Sequence, residues 1–549
     1  MKIKTVSSLE KCFLDENIED KKEQKSGSAL KGEKYHFLVC YEDSEEIGWN
    51  KYIKVKVLSE LAEHVKISRV EHVPVHMPRI AGLDDDNYLR KTPGLYPDLL
   101  IPVGQDELIP ISYNLESLFV EVDADASVKA GVYPINVIIE DVEGNLLATT
   151  EFTLEIIDAT LPEQELIFSQ WFYTDCLQDF YDTGCFDEEH WRIIENFMST
   201  AVKGGVNMML TPIFTPPLDT AVGGTRGPVQ LVDISLSENG YAFYFDKLGR
   251  WLRLCEKTGI KYLEICHLFT QWGAAHAPNI FACEKGETVR IFGWETDADS
   301  KEYRNFLEAL IPELLKYLND NGWGEDKLFF HISDEPSEAH IESYRTKFKW
   351  LKGLIGDIPI IDALSEISFL KNGAAEIAVA SNDKIDEFIE EGVKEIWTYY
   401  CCSQGVEVSN RFIAMSSARN RITGIQLYKY GVKGFLHWGY NFYNKQYSRG
   451  LLNPYTRTDG MYFGPSGDAF SVYPARDGTA YESVRFAVFH DGLQDLRALR
   501  LCEELIGKQN TLRLLEEGVS PITFKEYPKD SEWLLRVREK INLAIKQNI

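Results

Sequence analysis

The sequence predicts a mixed α/β chain, with an all-β sandwich over residues 33–160 followed by a (β/α)8 TIM-type barrel with C-terminal helices over 161–549. Three observations predict it. A chain of 549 residues exceeds what one hydrophobic core ordinarily holds, so two or more domains are expected. Short runs with period-two alternation, separated by turn residues, occupy the region before residue 160. Beyond it the rhythm changes to short apolar runs alternating with amphipathic helical patterns, and no glycine-rich dinucleotide or phosphate loop follows any of them.

Residues 1–32 are polar and lack the apolar core of a secretory signal, which with the retained Met1 predicts a cytoplasmic chain. The sandwich strands are expected at "KYHFLVCYED", "KYIKVKVLS", "DLLIPV", "SLFVEVDA", "GVYPINVIIED" and "LLATTEFTLEII". Tyr133, Ile135 and Val137 alternate with Val132, Pro134 and Asn136, and the "EGN" turn at 143–145 suits an antiparallel hairpin. "DATLPEQ" at 158–164 breaks this pattern with proline and polar residues and is expected to link the domains. Barrel strands are expected at 166–173, 206–214, 261–269, 327–333, 358–364, 375–381, 395–402 and 434–440. Helical patterns fall between most of them, as in "EEHWRIIENFMSTAVKGG" and in "YRNFLEALIPELLKYLNDNG", which ends in a helix-stopping Asn-Gly.

The formal charge of -27 disfavours a nucleic-acid backbone or an anionic membrane surface as partner. No run approaches the roughly 18 to 20 apolar residues of a membrane span. Ten cysteines are scattered without any C-x-x-C, so reduced core thiols are expected and neither a zinc ribbon nor a disulfide framework is indicated. The oligomeric state is left open by the sequence.

A β/α barrel carries its chemistry on the residues that end its strands. Those ends hold Gln170, Trp171 and Tyr173; His267, Gln271 and Trp272; Asp334 and Glu335; Trp397, Tyr399 and Tyr400; then His437, Trp438, Tyr440 and Asn441. Aromatic rings pack on the apolar face of a pyranose while Asn, His and Tyr tips satisfy its hydroxyls, so the expected partner is a carbohydrate. His267, Trp272, Trp397, Tyr399, Trp438 and Asn441 are the candidate substrate-binding residues. With neither H-x-H nor H-E-x-x-H among the isolated barrel histidines, no metal and no cofactor is expected.

The stretch "LFFHISDEPSEAH", 328–340, puts two acids after an apolar run. It reads either as a helix start, with Asp334 or Ser337 as N-cap and Pro336 in the first turn, or as a catalytic pair. Adjacent acids do not flank a glycosidic bond as the separated carboxylates of ordinary glycosidases do. They suit substrate-assisted hydrolysis, where one acid protonates the leaving oxygen and the other holds a 2-acetamido group that attacks in place of an enzyme nucleophile.

"FFHISDEPSEAH" closely resembles the signature of glycoside hydrolase family 123, β-N-acetylgalactosaminidases with a β-sandwich before a β/α barrel. Similarity extends through "GLYPDLLIP", "DATLPEQ", "HLFTQWGAAHAPNI", "FGWET", "EIWTYYCC", "GFLHWGYNFYN" and "ESVRFAVFHDGLQDLRAL". The resemblance implies a retaining exo-glycosidase acting on β-linked N-acetylgalactosamine or a related 2-acetamido sugar. It also implies Glu335 as general acid/base and Asp334 as the residue that orients the acetamide. The alternative is a non-catalytic carbohydrate-binding barrel, since an aromatic bowl binds as readily as it catalyses.

Overall fold

The computed structural model describes residues 1–43, 51–112, 114–238, 240–271 and 273–549. Its N-terminal region contains β1 (Lys2–Ser7), β2 (Ser26–Lys31), β3 (Glu33–Glu42), β4 (Tyr52–Leu58), β5 (Val65–Val75), β6 (Gly94–Pro102), β7 (Ile109–Pro110), β8 (Glu116–Ala124), β9 (Gly131–Glu140) and β10 (Leu146–Thr160). They form two five-stranded sheets, in the orders β1-β3-β8-β5-β6 and β2-β10-β9-β4-β7. Side-chain alternation separates inside from outside: on β9, Ile135, Val137 and Ile139 are fully buried and Val132 is 63% exposed. These residues join Phe37, Val39, Val120, Phe152 and Leu154 in one core between the sheets, where Phe37 stacks on Phe152 at 4.3 Å.

The polar segment 1–32 does not lie outside the sheets. β1 pairs antiparallel with β3 and β2 pairs parallel with β10, each at a sheet edge. Its polarity misled because its charges are satisfied internally. Buried Lys11 donates to the carbonyls of Ile413 and Met415 at 2.7 and 2.8 Å, and Lys21 pairs with Glu16 at 2.7 Å. β10 also runs on to Thr160, taking in the start of the stretch expected as a linker.

The second region contains β11 (Ile167–Gln170), β12 (Met208–Thr211), β13 (Asp233–Ser237), β14 (Gly240–Tyr244), β15 (Tyr262–Ile265), β16 (Ile280–Glu284), β17 (Glu287–Phe292), β18 (Leu328–Phe330), β19 (Ala378–Ser381), β20 (Ile396–Tyr399) and β21 (Gly434–His437). Seven of these make a parallel sheet in the order β18-β15-β12-β11-β21-β20-β19. Its ladders thus describe a seven-stranded half-barrel and not the eight-stranded barrel expected. The remaining expected strand, 358–364, touches both edges of this sheet only through isolated parallel bridges, Phe330 with Ile360 and Ala363 with Val379. A regular ladder fails there because Pro359 has no N–H and because the amides of Ile332 and Ser333 donate to the Asp362 carboxylate. The hairpins β13–β14 and β16–β17, which the sequence rhythm did not reveal, make a separate four-stranded sheet. It packs on Phe306 of helix Lys301–Asp320 through Tyr241, Phe243 and Phe292.

The helices begin where the sequence supplies caps: Asp187 accepts from the His190 N–H ahead of helix Glu188–Lys203, and Ser300 caps helix Lys301–Asp320. Buried ion pairs join the two regions, Asp98 of β6 to Arg485 of helix Val484–Ile506 at 2.8 Å and Glu33 of β3 to Arg538 of helix Ser531–Asn548 at 2.7 Å. Among the described residues no helix is long and apolar enough to cross a membrane.

Candidate active site

The C-terminal ends of β11, β18, β20 and β21, with the loops after β12 and β15, open on one cavity of 150 Å³. Asp334, Glu335, Tyr399, Trp438, Tyr173 and Asp219 are in its wall. A larger groove of 1020 Å³ runs between the sandwich and helix Glu188–Lys203, but it lies away from the strand ends where the acids converge.

β18 ends at Phe330 and the chain turns before the next helix. Ser337 caps that helix through a reciprocal arrangement with His340, so Asp334 and Glu335 stand ahead of the cap and are not part of it. Glu335 has φ +42°, the left-handed region. A non-glycine residue held there costs on the order of 1–3 kcal/mol, and such strain persists where surrounding structure enforces it. The Glu335 side chain is held by the Tyr399 hydroxyl, which donates to its Oε1 at 2.8 Å. Asp334 receives no hydrogen bond from any described residue. Burial, reinforced by the Glu335 charge, pushes its carboxyl well above the usual carboxylate range, and His331 opposes the push.

Beneath the pair lies a buried clamp. His331 Nε2 meets Glu264 Oε1 at 2.6 Å and His331 Nδ1 meets Asp362 Oδ1 at 2.8 Å. Burial disfavours the imidazolium, but hydrogen bonds and charges of Asp362 and Glu264 prevail and raise its pKa to about 9. Glu264 also accepts from Trp171 Nε1 at 2.7 Å and from the Ser169 hydroxyl. Asp362 accepts the amides of Ile332 and Ser333 and the Tyr344 hydroxyl. The loop leading to Asp334 is therefore anchored by its own backbone to a carboxylate on the bridging segment.

Four of the eight residues singled out in the sequence line the cavity: Asp334, Glu335, Tyr399 and Trp438. Trp438 Nε1 donates to Asp468 at 2.9 Å. Three others do not line it. Trp397 shares the face of Tyr399 but sits two residues lower, fully buried against Phe329 at 5.3 Å. His267 is 1% exposed and stacks on His331 with ring centres 4.1 Å apart; burial lowers its pKa well below the usual imidazole value and keeps it neutral. Asn441 is wholly buried and grips the Tyr173 backbone, accepting from its N–H at 2.9 Å and donating to its carbonyl at 3.1 Å. Trp272 lies outside the described residues.

Sequence reasoning passed over Asp219, Glu264, Asp362 and Tyr447. The signal for Glu264 and Asp362 was an acid inside an apolar run, "KYLEICHLF" and "IPIIDAL". Among the described residues, His267, His331 and Asp362 approach closely enough to suggest a metal site, with ligand atoms within 4.8 Å of one another. They do not fit one. The two rings are within 15° of parallel, so their in-plane lone pairs do not converge, and both nitrogens of His331 already engage carboxylates.

Two acids from consecutive residues, open to a cavity walled by aromatic rings, suit a sugar ring and proton transfer to its glycosidic oxygen, and comparison with known proteins gives the class: this is a glycoside hydrolase. The chain belongs to glycoside hydrolase family 123, whose catalytic-domain model matches residues 171–502. A family 123 glycoside hydrolase from Clostridium perfringens, studied for glycolipid glycan hydrolysis, shares the fold over 100% of this chain and 99% of its own, at 15% identity and TM-score 0.74. A family 2 member from Bacteroides cellulosilyticus DSM 14838 aligns at 10% identity and TM-score 0.28 over 79% of this chain and 47% of its own. The Parabacteroides merdae β-glucuronidase aligns at 11% and 0.32, over 83% and 50%. Neither of these two bears on the site. No curated protein matches.

Proposed function

We propose that the enzyme releases a terminal β-linked 2-acetamido sugar, N-acetylgalactosamine before N-acetylglucosamine, with retention and by substrate-assisted catalysis. In this reading the seven-stranded sheet and the bridging segment act as a (β/α)8 barrel, and the two five-stranded sheets, which take in β1 and β2 as well as residues 33–160, are a sandwich domain packed against it. The observation that carries the reading is that two consecutive acids line one aromatic-walled cavity in different settings: Glu335 is held by the Tyr399 hydroxyl, while Asp334 has no hydrogen-bond donor among the described residues and faces the cavity beside it.

Glu335 protonates the glycosidic oxygen as the acetamide oxygen attacks C1, so the aglycone leaves as an alcohol and an oxazolinium ion forms. Asp334 accepts the acetamide N–H, gaining the donor it lacks in the protein, and hydrogen bonding to the charged form favours its ionisation. The carboxylate then stabilises the positive charge on the ring nitrogen. Water attacks C1 from the opposite face, giving its proton to Glu335 and opening the oxazolinium with net retention. Trp438 offers an apolar face to the sugar. Glycolipid oligosaccharides, the class hydrolysed by the Clostridium enzyme, are the first natural substrates to try.

Turnover of aryl β-N-acetylhexosaminides against aryl β-glycosides without the acetamide tests the scheme; faster turnover of the latter sinks it. Glu335→Gln is expected to lose about 10²- to 10⁴-fold on substrates with poor leaving groups and much less on activated aryl glycosides. Asp334→Asn is expected to lose on every substrate regardless of leaving group. Equal dependence on leaving group in both variants overturns the assignment.

A further inference from the structure

Asp219 has no part in that chemistry, yet the structure goes to some length to aim it. It follows β12 on a loop of the cavity wall and is 9% exposed. Its own N–H donates to Gln271 Oε1 at 2.5 Å, its Oδ2 accepts the Tyr447 N–H at 3.1 Å, and its carbonyl accepts the Ser448 hydroxyl at 2.8 Å. Asp219, Tyr447 and Ser448 all have left-handed backbones, with φ of +44°, +58° and +53°, so this grip is maintained against strain. No described residue donates to its remaining oxygen, Oδ1. Arg226 does not neutralise it by contact, because that guanidinium is committed to a bidentate pair with Asp175 at 2.8 Å on each arm. Burial raises the Asp219 pKa to about 6, with Arg226 opposing.

A second unpartnered group marks the same spot. The Tyr173 hydroxyl is buried with no hydrogen-bond partner, and both Asp219 and Asp334 act electrostatically on it. A buried hydroxyl left unpaired is costly unless a ligand completes it, and the free oxygen of Asp219 lines the same cavity.

We propose that Asp219 is the specificity-determining carboxylate that reads the O3 and O4 hydroxyls of the sugar and sets the preference between C4 epimers. This rests on the roles given above to Asp334 and Glu335. Glu335 marks the oxygen on C1 and Asp334 the nitrogen on C2. Asp219 lines the same cavity as Asp334 and Glu335, and with C1 and C2 assigned to those two acids, O3 and O4 are the vicinal hydroxyls left for its free oxygen. A carboxylate with a free oxygen accepts two vicinal hydroxyls, and inversion at C4 swings one of them out of reach. Sites built to hydrogen-bond a hydroxyl reject analogues without it far more strongly than apolar pockets reject a missing methylene.

The test uses the full-length enzyme with aryl β-N-acetylgalactosaminide, its C4 epimer, and the 3-deoxy and 4-deoxy analogues. For the wild type, deleting O3 or O4 is expected to lower kcat/KM by on the order of 10²-fold or more. In Asp219→Asn the parent sugar should fall comparably, while the further penalty for deletion shrinks to less than about tenfold and the epimer ratio moves toward one. A variant that slows all four sugars by the same factor overturns the proposal. So does one whose activity is abolished on all four and restored by azide, which would make Asp219 a nucleophile. Calorimetry of the free monosaccharides and their deoxy analogues on the wild type guards against a misfolded variant, since undiminished binding without O3 and O4 also overturns it. If the wild type prefers sugars lacking the acetamide, the substrate-assisted scheme fails separately, and the same deletions on those sugars still judge Asp219.

Discussion

His331 is an imidazolium with no access to water, and its worth lies in what it neutralises. Replacing it with Gln leaves Glu264 and Asp362 facing a neutral amide in the protein interior; breaking a buried pair in this way typically costs about 3–5 kcal/mol. Urea unfolding is expected to register that loss, and kcat to fall with it as the loop carrying Asp334 loses its anchor. The pH dependence has a definite sign. The folded pKa of about 9 lies above the ordinary histidine value near 6.5, so the folded state binds the proton more tightly. Its contribution is fully present below about pH 6.5 and is lost as pH rises through about 9. The urea midpoint of the wild type should therefore fall across that window, and His331→Gln should lack this component. A variant with unchanged stability and an identical pH profile would refute the clamp.

At the scale of elements, the contact of β20 with β21 depends on a missing side chain. A Cβ built on Gly434 would lie 2.0 Å from the Trp397 ring, in a strand whose residues are all buried. Gly434→Ala must push the indole or separate the strands, a form of overpacking that costs about 1–3 kcal/mol or more. A lowered melting temperature, with activity reduced because Tyr399 rides on the displaced strand, is the expected outcome; an unchanged melting temperature contradicts the close approach. The same pair explains what the sequence could and could not convey. Position near a strand end grouped Trp397 with Tyr399, and apolar rhythm located every run that builds the parallel sheet. Depth along a strand has no signature in a sequence, so the buried Trp397 and the cavity-lining Tyr399 looked alike. Asn441 and His267 misled for the same reason, being polar residues near strand ends whose partners lie below the surface. The hairpin strands "DISLS" and "GYAFY" are too short for their period to stand out. Asp219 sits in "PPLDTAVGG", where no periodicity exists to read. The acid pair was legible because "HISDEP" combines composition and position in a way that does not depend on depth.

Across the whole molecule, charge is organised between regions rather than by its total. The sum of -27 conceals guanidinium groups that are buried: Arg485 against Asp98, Arg538 against Glu33 and Asp495, and Arg421 against Asp495. Such pairs add little net stability when intact but are expensive to break, and two of them, Arg485 with Asp98 and Arg538 with Glu33, run between the N-terminal sheets and the C-terminal helices. The parallel sheet has its own weak line. Its seven strands are tied by ladders, but between β18 and β19 the chain is held by two isolated bridges, made by the amides of Phe330 and Ile361 on one side and Leu364 and Val379 on the other, and by the carboxylate of Asp362. That same carboxylate anchors the turn bearing Asp334 and Glu335. Among the described residues the two edges of the sheet are thus joined through isolated bridges beside the acid pair. Amide hydrogens at Ile361 and Leu364 are expected to exchange with deuterium ahead of those in β11 and β21. In rising urea, turnover should disappear while circular dichroism still reports a native fold. Simultaneous loss of both signals would mean that the seam is as firm as the rest. If it opens first, the enzyme has a fuse: mild stress silences the acids before exposing the core, and activity returns when the stress is withdrawn.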